Sequence, residues 1–270
     1  MVSYAVIGAS RGIGLEYVRQ LAGRQNAVVF AIVRDAQGST HLNAAVSGLK
    51  NVHIFEGDVT DYRSLERAAK QVRDVTGGTL DYLIHVAGRT DPETLYQALD
   101  DYPSMDALDE DCITAYKINT LGVIHGISAF LPLLRAGPTK KIVVLGSPAG
   151  DFRLTRAASI GDMAVYSVSK AGGLVAAMKY AVKLKSEGFC VVLLSPGLVD
   201  TTETIPGEHG AATGKALLDK WMVENSHGGP PAPCANPEES VRDQLKVIDS
   251  LKTSDNGRFL TYTGDDYVMP

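Results

Sequence analysis

The chain has 270 residues, a net charge of −5 and three cysteines, with 45% hydrophobic and 21% charged residues. A chain of that size and composition builds a core without disulfide or metal staples, and it lacks the clustered basic excess of a nucleic-acid binder. Cys112, Cys190 and Cys234 form neither a metal-type pair nor a disulfide framework. With no basic-then-apolar leader and no uninterrupted apolar run of about 18 residues, the expectation is a cytoplasmic chain with no membrane partner and no bound metal.

Short apolar runs alternate with longer amphipathic stretches. Residues 4–8, 27–33, 52–55, 80–87, 141–145 and 189–194 each read as a buried strand, brief, rich in Val and Ile, and bounded by Gly, Asp, Ser or Pro. Between them, 13–23, 61–77, 110–134 and 164–187 have helix-length patterns, and a late amphipathic piece, 237–251, precedes a final strand at 258–263. Strands buried on both faces and joined by helices form right-handed βαβ units. The expected fold is a single α/β domain over 1–270 with a doubly wound parallel sheet of the Rossmann type. The stretch 202–236 differs, with five Gly, four Pro and one helical pattern at about 211–223. An excursion of that length is a lid or binding loop, or else a disordered surface insertion. Trp221 and Met222 would give a lid apolar walls.

The first strand runs into Gly8-Ala-Ser10-Arg11-Gly12-Ile13-Gly14, and a helix follows at once. Glycines let the backbone turn sharply and approach a diphosphate, while the helix N-terminus offers free N–H groups and partial positive charge. The second strand ends Phe30-Ala-Ile-Val-Arg34-Asp35. An acid at that tip would hold the ribose hydroxyls of NAD. Here the tip reads Arg34, with Arg11 inside the glycine loop. Two guanidinium groups favour a 2′-phosphate, and a charge-assisted hydrogen bond contributes about 1.5–3 kcal/mol, a preference of about 10- to 150-fold. NADP(H) is therefore the expected cofactor. Asp35 keeps the alternative open, because a shift of one residue returns an acid to the tip. After the third strand, Asp58 either bonds the adenine amine, with Val59 flanking the ring, or caps the next helix.

In Ala164-Val-Tyr166-Ser-Val-Ser-Lys170, the tyrosine and lysine are four apart and share one helix face. A phenol with a pKa near 10 is a poor acid–base group at neutral pH. Lowering it to about 7 takes roughly 4 kcal/mol of extra phenolate stabilisation, which an adjacent ammonium and a nicotinamide cation can supply.

Taken in order, the chain resembles the short-chain dehydrogenases/reductases over nearly its full length. The shared features are Gly8-x-x-x-Gly12-x-Gly14, Asp58, Ala87-Gly88, Asn119, Ser147, Tyr166-x-x-x-Lys170 and Pro196-Gly197-x-x-x-Thr201. Ile118-Asn-Thr-Leu-Gly122, Phe130-Leu-Pro-Leu-Leu134 and the closing Gly257-Arg-Phe-Leu-Thr-Tyr-Thr-Gly264 resemble the C-factor-like carbonyl reductases. The resemblance implies that Tyr166 passes a proton to the substrate oxygen, that Lys170 lowers the Tyr166 pKa and bonds the nicotinamide ribose, and that Ser147 stabilises developing oxyanion charge. Asn119 would hold a water linking Lys170 to solvent through a distortion of its own helix backbone. Ala87 and Gly88 would border the cofactor, and Pro196, Gly197, Val199 and Thr201 would hold the nicotinamide. Each also has a structural role open to it: Ser147 as a turn cap, Asn119 as a partner for buried backbone.

Two departures stand out. The family's usual Asn-Asn-Ala-Gly reads His85-Val-Ala-Gly88, where histidine is expected to pack or bond locally rather than catalyse. The gap from Ser147 to Tyr166 is 19 positions (166 − 147), longer than the family's, so 151–162, with Arg153 and Arg156, is expected to form an enlarged loop. Ser159 and Ser167 then become rival serines, with Ser147 favoured because it directly follows the fifth strand. The implied activity is NADPH-dependent reduction of a ketone, aldehyde or related C=O group. The alternatives are an NADP-linked alcohol dehydrogenase, an imine or enone reductase, or a non-redox NADP(H) sensor, which would have no need of an acid–base pair. The implied partners are a small-molecule carbonyl or alcohol substrate and further copies of the chain, as homodimer or homotetramer, through 110–134 and 164–187.

Overall fold

A computed structural model of the chain describes residues 1–205, 212, 214–216, 218–219 and 234–267. Seven strands form one sheet: β1 (Val2–Ile7), β2 (Ala27–Val33), β3 (Val52–Glu56), β4 (Tyr82–His85), β5 (Lys141–Leu145), β6 (Cys190–Ser195) and β7 (Phe259–Thr261). Their order is 3-2-1-4-5-6-7, with every pairing parallel. The helices are α1 (Gly12–Ala22), α2 (Thr40–Ala45), α3 (Tyr62–Thr76), α4 (Met105–Tyr116), α5 (Gly122–Ala136), α6 (Phe152–Ala157), α7 (Ala164–Leu184) and α8 (Pro237–Ser250).

The strands read as continuous apolar runs because both of their faces are covered. All seven residues of β2 are buried. Successive side chains on a strand point to opposite faces. Ala5, Ile7, Phe30, Ile32, Ile142 and Val144 therefore meet Leu65 of α3, Ile127 and Phe130 of α5 and Ala177 of α7. Their neighbours Tyr4, Val6, Val29, Ala31 and Val143 meet Leu15, Val18 and Leu21 of α1 and Val241, Leu245 and Ile248 of α8. Strand order reverses between β1 and β4, and the crevice at the carboxyl ends there is where open α/β sheets bind ligands. Gly8, Ala87, Ser147 and Pro196 each follow the end of a strand and gather along that edge.

The third long helix starts earlier than its apolar pattern, at Met105, where the Ser104 hydroxyl accepts from the Ala107 N–H at 3.2 Å. It continues through a π-helical turn at Lys117–Leu121 into α5. The short α2 has no sequence pattern behind it. The enlarged 151–162 segment is partly helical rather than a plain loop: a 3-10 turn (Pro148–Gly150) leads into α6, whose first turn is capped by Asp151 accepting from the Arg153 N–H at 2.8 Å. Of the expected lid, the described parts are a 3-10 turn at Thr202–Thr204, helical residues among 212–219, and a parallel bridge from Val199 to Ala235. Trp221 and Met222 lie outside the described residues.

Candidate active site

At the first strand's end the chain turns through Gly8 with φ +89°, and a Cβ there would lie 2.6 Å from Ala87 Cα. A Cβ on Gly14 would lie 2.0 Å from the Gly8 carbonyl oxygen, so α1 closes directly onto the loop. Arg11 is the N-cap of α1, in extended backbone and with no side-chain capping bond. The Gly12 N–H donates to Thr204 Oγ1 at 2.9 Å. The Thr201 side chain stands over Gly12, 3.2 Å from where a Cβ would be. Gly8, Ser10, Arg11, Gly12, Ile13 and Gly14 thus form a cradle that a side chain at Gly8 or Gly14 would fill, at the positive end of a helix. A diphosphate fits that chemistry.

At the outer end of the cradle, Arg34 directly follows β2. Asp35 is committed elsewhere: its Oδ1 accepts from the Gly38 N–H at 2.8 Å and its carbonyl accepts from Ser39 Oγ at 2.5 Å. The register that would return an acid to the strand tip is therefore not the one adopted. Partial shielding from water, and after it the like charge of Arg34, lowers the Arg11 guanidinium from its usual value. Among the described residues neither guanidinium is paired with a carboxylate. Asp58 Oδ1 accepts from the Thr60 N–H and hydroxyl, both at 2.8 Å. The cap of α3 is Asp61, which accepts from the Arg63 N–H at 3.0 Å, so Asp58 does not cap that helix. Val59 is buried against Gly122. A surface depression of about 700 Å³ opens here, lined by Arg34, Gly57 and Asp58 among others.

At the inner end, Tyr166 and Lys170 lie in the first turns of α7. Lys170 Nζ donates to the Leu145 carbonyl at 3.1 Å and stands 5.9 Å from the centre of the Tyr166 ring. Asn119 is the middle residue of the π turn, with its side chain buried. Its Oδ1 accepts from the Arg89 N–H at 2.7 Å, while its Nδ2 donates to the Arg89 carbonyl at 3.2 Å and to Ser169 Oγ at 2.9 Å. A Cβ on Gly88 would sit 3.3 Å from Asn119 Oδ1 and 3.6 Å from Lys170 Nζ, which puts Ala87-Gly88 beside both. Ser147 follows β5 and caps the 3-10 turn, its Oγ accepting from the Ala149 N–H at 3.3 Å. That bond uses a lone pair, not the hydroxyl proton. Ser159 is exposed and in left-handed backbone, with φ +52°, and Ser167 is one residue round α7 from Tyr166.

The loop after β6 is held from behind. Ser240 Oγ donates to the Pro196 carbonyl at 2.8 Å, and Gly197, with φ +77°, leaves no room for a Cβ against the Tyr262 ring. Val199 then bridges to Ala235, and Thr201 stands over Gly12. His85 packs and bonds locally, with Nε2 3.0 Å from the Gly122 carbonyl, and burial pushes its pKa down to about 4. The structure also adds residues to which the motifs assigned no role. Thr120 Oγ1 donates to the Ser169 carbonyl at 2.7 Å, Ser169 Oγ donates to the Tyr166 carbonyl at 2.8 Å, and Arg89 forms an ion pair with Asp111. Ser169 lies inside the Tyr-x-x-x-Lys span and Arg89 directly follows Ala87-Gly88, so their positions pointed to them. Thr120 lies inside Ile118-Asn-Thr-Leu-Gly122, while nothing local singles out Thr204 or Asp111.

The arrangement places a glycine cradle, a phenol, an ammonium and a hydroxyl along one sheet edge. A family model described as short chain dehydrogenase matches residues 3–209. The chain is 36% identical over 266 residues to a short-chain dehydrogenase/reductase of an Arthrinium species, and 34% identical over 267 residues to one of Aspergillus aculeatus, each match covering 98% of both chains. Among solved structures, an NADPH-bound carbonyl reductase from chicken fatty liver superposes with a TM-score of 0.75 at 26% identity, covering 98% of this chain and 93% of that one. The carbonyl reductase Sniffer of D. melanogaster shares the fold, with a TM-score of 0.77 at 22% identity over 98% of each chain.

Proposed function

The chain belongs to the short-chain dehydrogenase/reductase family, and we propose that it reduces ketones, aldehydes or related C=O groups with NADPH, using Tyr166 as proton donor. The observation that carries this reading is the placement of Tyr166 and Lys170 on one face of α7, with the Lys170 ammonium beside the phenol ring.

The glycine cradle would hold the diphosphate, Arg11 and Arg34 the 2′-phosphate, and Asp58 and Val59 the adenine. Ala87, Gly88, Asn119, Lys170, Pro196, Gly197, Val199 and Thr201 would surround the nicotinamide half. When bound, NADPH supplies the hydride. Ser147 would donate a hydrogen bond, keeping its proton, to the substrate oxygen and stabilise the negative charge that grows there. Tyr166 Oη delivers its proton to the same oxygen, and the Lys170 ammonium favours the phenolate left behind. Asn119, in the backbone distortion of the π turn, would hold the water that returns the proton. The NADPH bound to the chicken carbonyl reductase supports the cofactor assignment, as do two guanidinium groups that meet no carboxylate among the described residues. The same groups run in reverse would oxidise an alcohol. A sensor that binds NADP(H) without turnover is disfavoured, because it has no use for the acid–base pair.

The test is loss of NADPH absorbance with a panel of aldehydes, ketones and diketones, beside NADH. Turnover should prefer NADPH by at least tenfold, and Arg34→Ala should erase most of that preference. Tyr166→Phe should lower kcat by a hundredfold or more while NADPH affinity holds. Tight NADPH binding with no turnover on any compound would favour the sensor.

A further inference from the structure

Arg89 is attached at two points to the helical run that carries Asn119. Its backbone N–H and carbonyl both bond the Asn119 amide, at 2.7 and 3.2 Å. Its guanidinium meets Asp111 Oδ1 at 2.5 Å and Asp91 Oδ2 at 2.9 Å. Asp111 lies on α4, eight positions before Asn119 (119 − 111), with only 6% of its side chain exposed, and its other oxygen accepts from Tyr102 Oη at 2.5 Å.

A buried ion pair is a weak source of stability, since an apolar pair of similar volume serves as well. What the guanidinium adds is a rigid planar bridge, with one nitrogen against Asp111 of α4 and another donating to Asp91. The Asn119 amide carries that bridge onward. Both of its N–H donors are committed, one to Arg89 and one to Ser169 Oγ, and Ser169 Oγ in turn donates to the Tyr166 carbonyl. Arg89, Asp111 and Tyr166 also line one small cleft with Thr94 and Leu95. A series of short contacts thus runs from the ion pair to the backbone of the proposed proton donor through Ser169, the residue next to Lys170.

We propose that Arg89 is a positioning residue: paired with Asp111, it sets where Asn119 meets α7 and so aligns Tyr166 and Lys170. This rests on the reductase reading for its kinetic assay.

The main test replaces both charges, as Arg89→Met with Asp111→Leu, so that no lone buried charge remains. Thermal melting, NADPH fluorescence titration, steady-state kinetics on the best panel substrate and backbone hydrogen exchange are compared with the unaltered protein. The expected result is a melting temperature lowered no further than in Tyr102→Phe, which loses the same hydroxyl–carboxylate bond, and an NADPH Kd within about twofold. The kcat should fall at least tenfold with KM for the carbonyl little changed, since misalignment of about an ångström can cost that and more. Amide exchange at 117–121 and 164–170 should speed up at least tenfold relative to the rest of α7. Arg89→Lys, which keeps the charge without the planar bridge, should fall between. Tyr102→Phe, which loosens Asp111 but leaves the pair, should lower the melting temperature and leave kcat within twofold.

An unchanged kcat in the double variant or in Arg89→Lys would overturn the proposal, as would a kcat loss in Tyr102→Phe equal to that of the double variant. So would unchanged exchange at those two segments. If the unaltered protein turns over no carbonyl at all, it is the reductase reading that fails, and the exchange measurement then decides the positioning claim by itself.

Discussion

His85 ends β4 with its ring enclosed, and a Cβ on Gly126 would lie 2.6 Å from its Cδ2. The Gly122 carbonyl can only accept, so Nε2 carries a proton in the neutral ring. Desolvation is the main reason that its pKa falls to about 4, and the Lys170 ammonium adds to the effect against the Gly122 bond. The folded value lies below the usual 6.5, so the unfolded chain takes up the proton first. The stability from the neutral ring is complete above about pH 6.5 and is lost as pH falls toward 4. Between pH 7 and 5 the loss is on the order of 2 kcal/mol. His85→Gln, which can still donate to Gly122, should flatten the pH dependence of the urea midpoint by that amount. Parallel profiles for the two proteins would show that the ring is not the group responsible. The local packing role of His85 was legible from its apolar strand and its place in the Ala-Gly motif. The place of Arg89 after Ala87-Gly88 pointed to the site, but its partners did not show, because they lie 22 and 30 positions away (111 − 89 and 119 − 89), a separation no local period encodes.

Where α7 crosses the π turn, two small residues permit the contact. A Cβ on Gly172 would sit 2.5 Å from Thr120 Oγ1, and one on Gly173 would sit 2.6 Å from the Asn119 carbonyl oxygen. Alanine at 173 would gain up to about 1 kcal/mol in helix propensity, whereas overpacking costs about 1–3 kcal/mol. The obstacle is backbone in a turn fixed on both sides, so the clash wins. Gly173→Ala should lower Tm by about 2–6 °C for a chain of this size. Gly23→Ala is the comparison. That residue ends α1 with φ −75° and its nearest neighbour is 3.6 Å away, so Tm should hold or rise slightly. Equal Tm values for the two variants would mean that the π turn yields to α7. The strands were legible at this scale because β2 is apolar and buried throughout, the mark of burial on both faces. The π turn was not read from periodicity; only the resemblance implied a distortion of the helix backbone at Asn119. The start of α4 at Met105 was hidden, since Met105 and Asp106 are exposed and only the Ser104 cap announced it.

The strand order 3-2-1-4-5-6-7 follows from alternating β and α segments with right-handed crossovers, and the switch point between β1 and β4 then puts motifs 80 to 190 residues apart on one edge. That is why the proposed site was largely readable from motif order, while the 151–162 insertion, which obeys no period, became clear only as α6. One feature of the assembled surface is unexplained by the fold alone. On α7, Val168, Val175 and Val182 recur every seven residues, two turns apart, at 64%, 59% and 69% exposure. α4, which packs against α7, adds Ile113 and Tyr116 at 54% and 48%. Exposed apolar residues scattered singly are ordinary, but a contiguous stripe marks a surface that meets something. We propose that it is where copies of the chain meet, as dimer or tetramer, because an α7–α7 contact about a twofold axis covers the stripe with itself. Light scattering should give two or four times the 28.7 kDa chain mass. Val175→Glu together with Val168→Glu should yield a monomer, since both carboxylates would be desolvated at the contact. The same double variant should bind NADPH as before, because neither side chain faces the cradle. A unaltered chain that stays monomeric at high micromolar concentration would remove self-association as the explanation for the stripe.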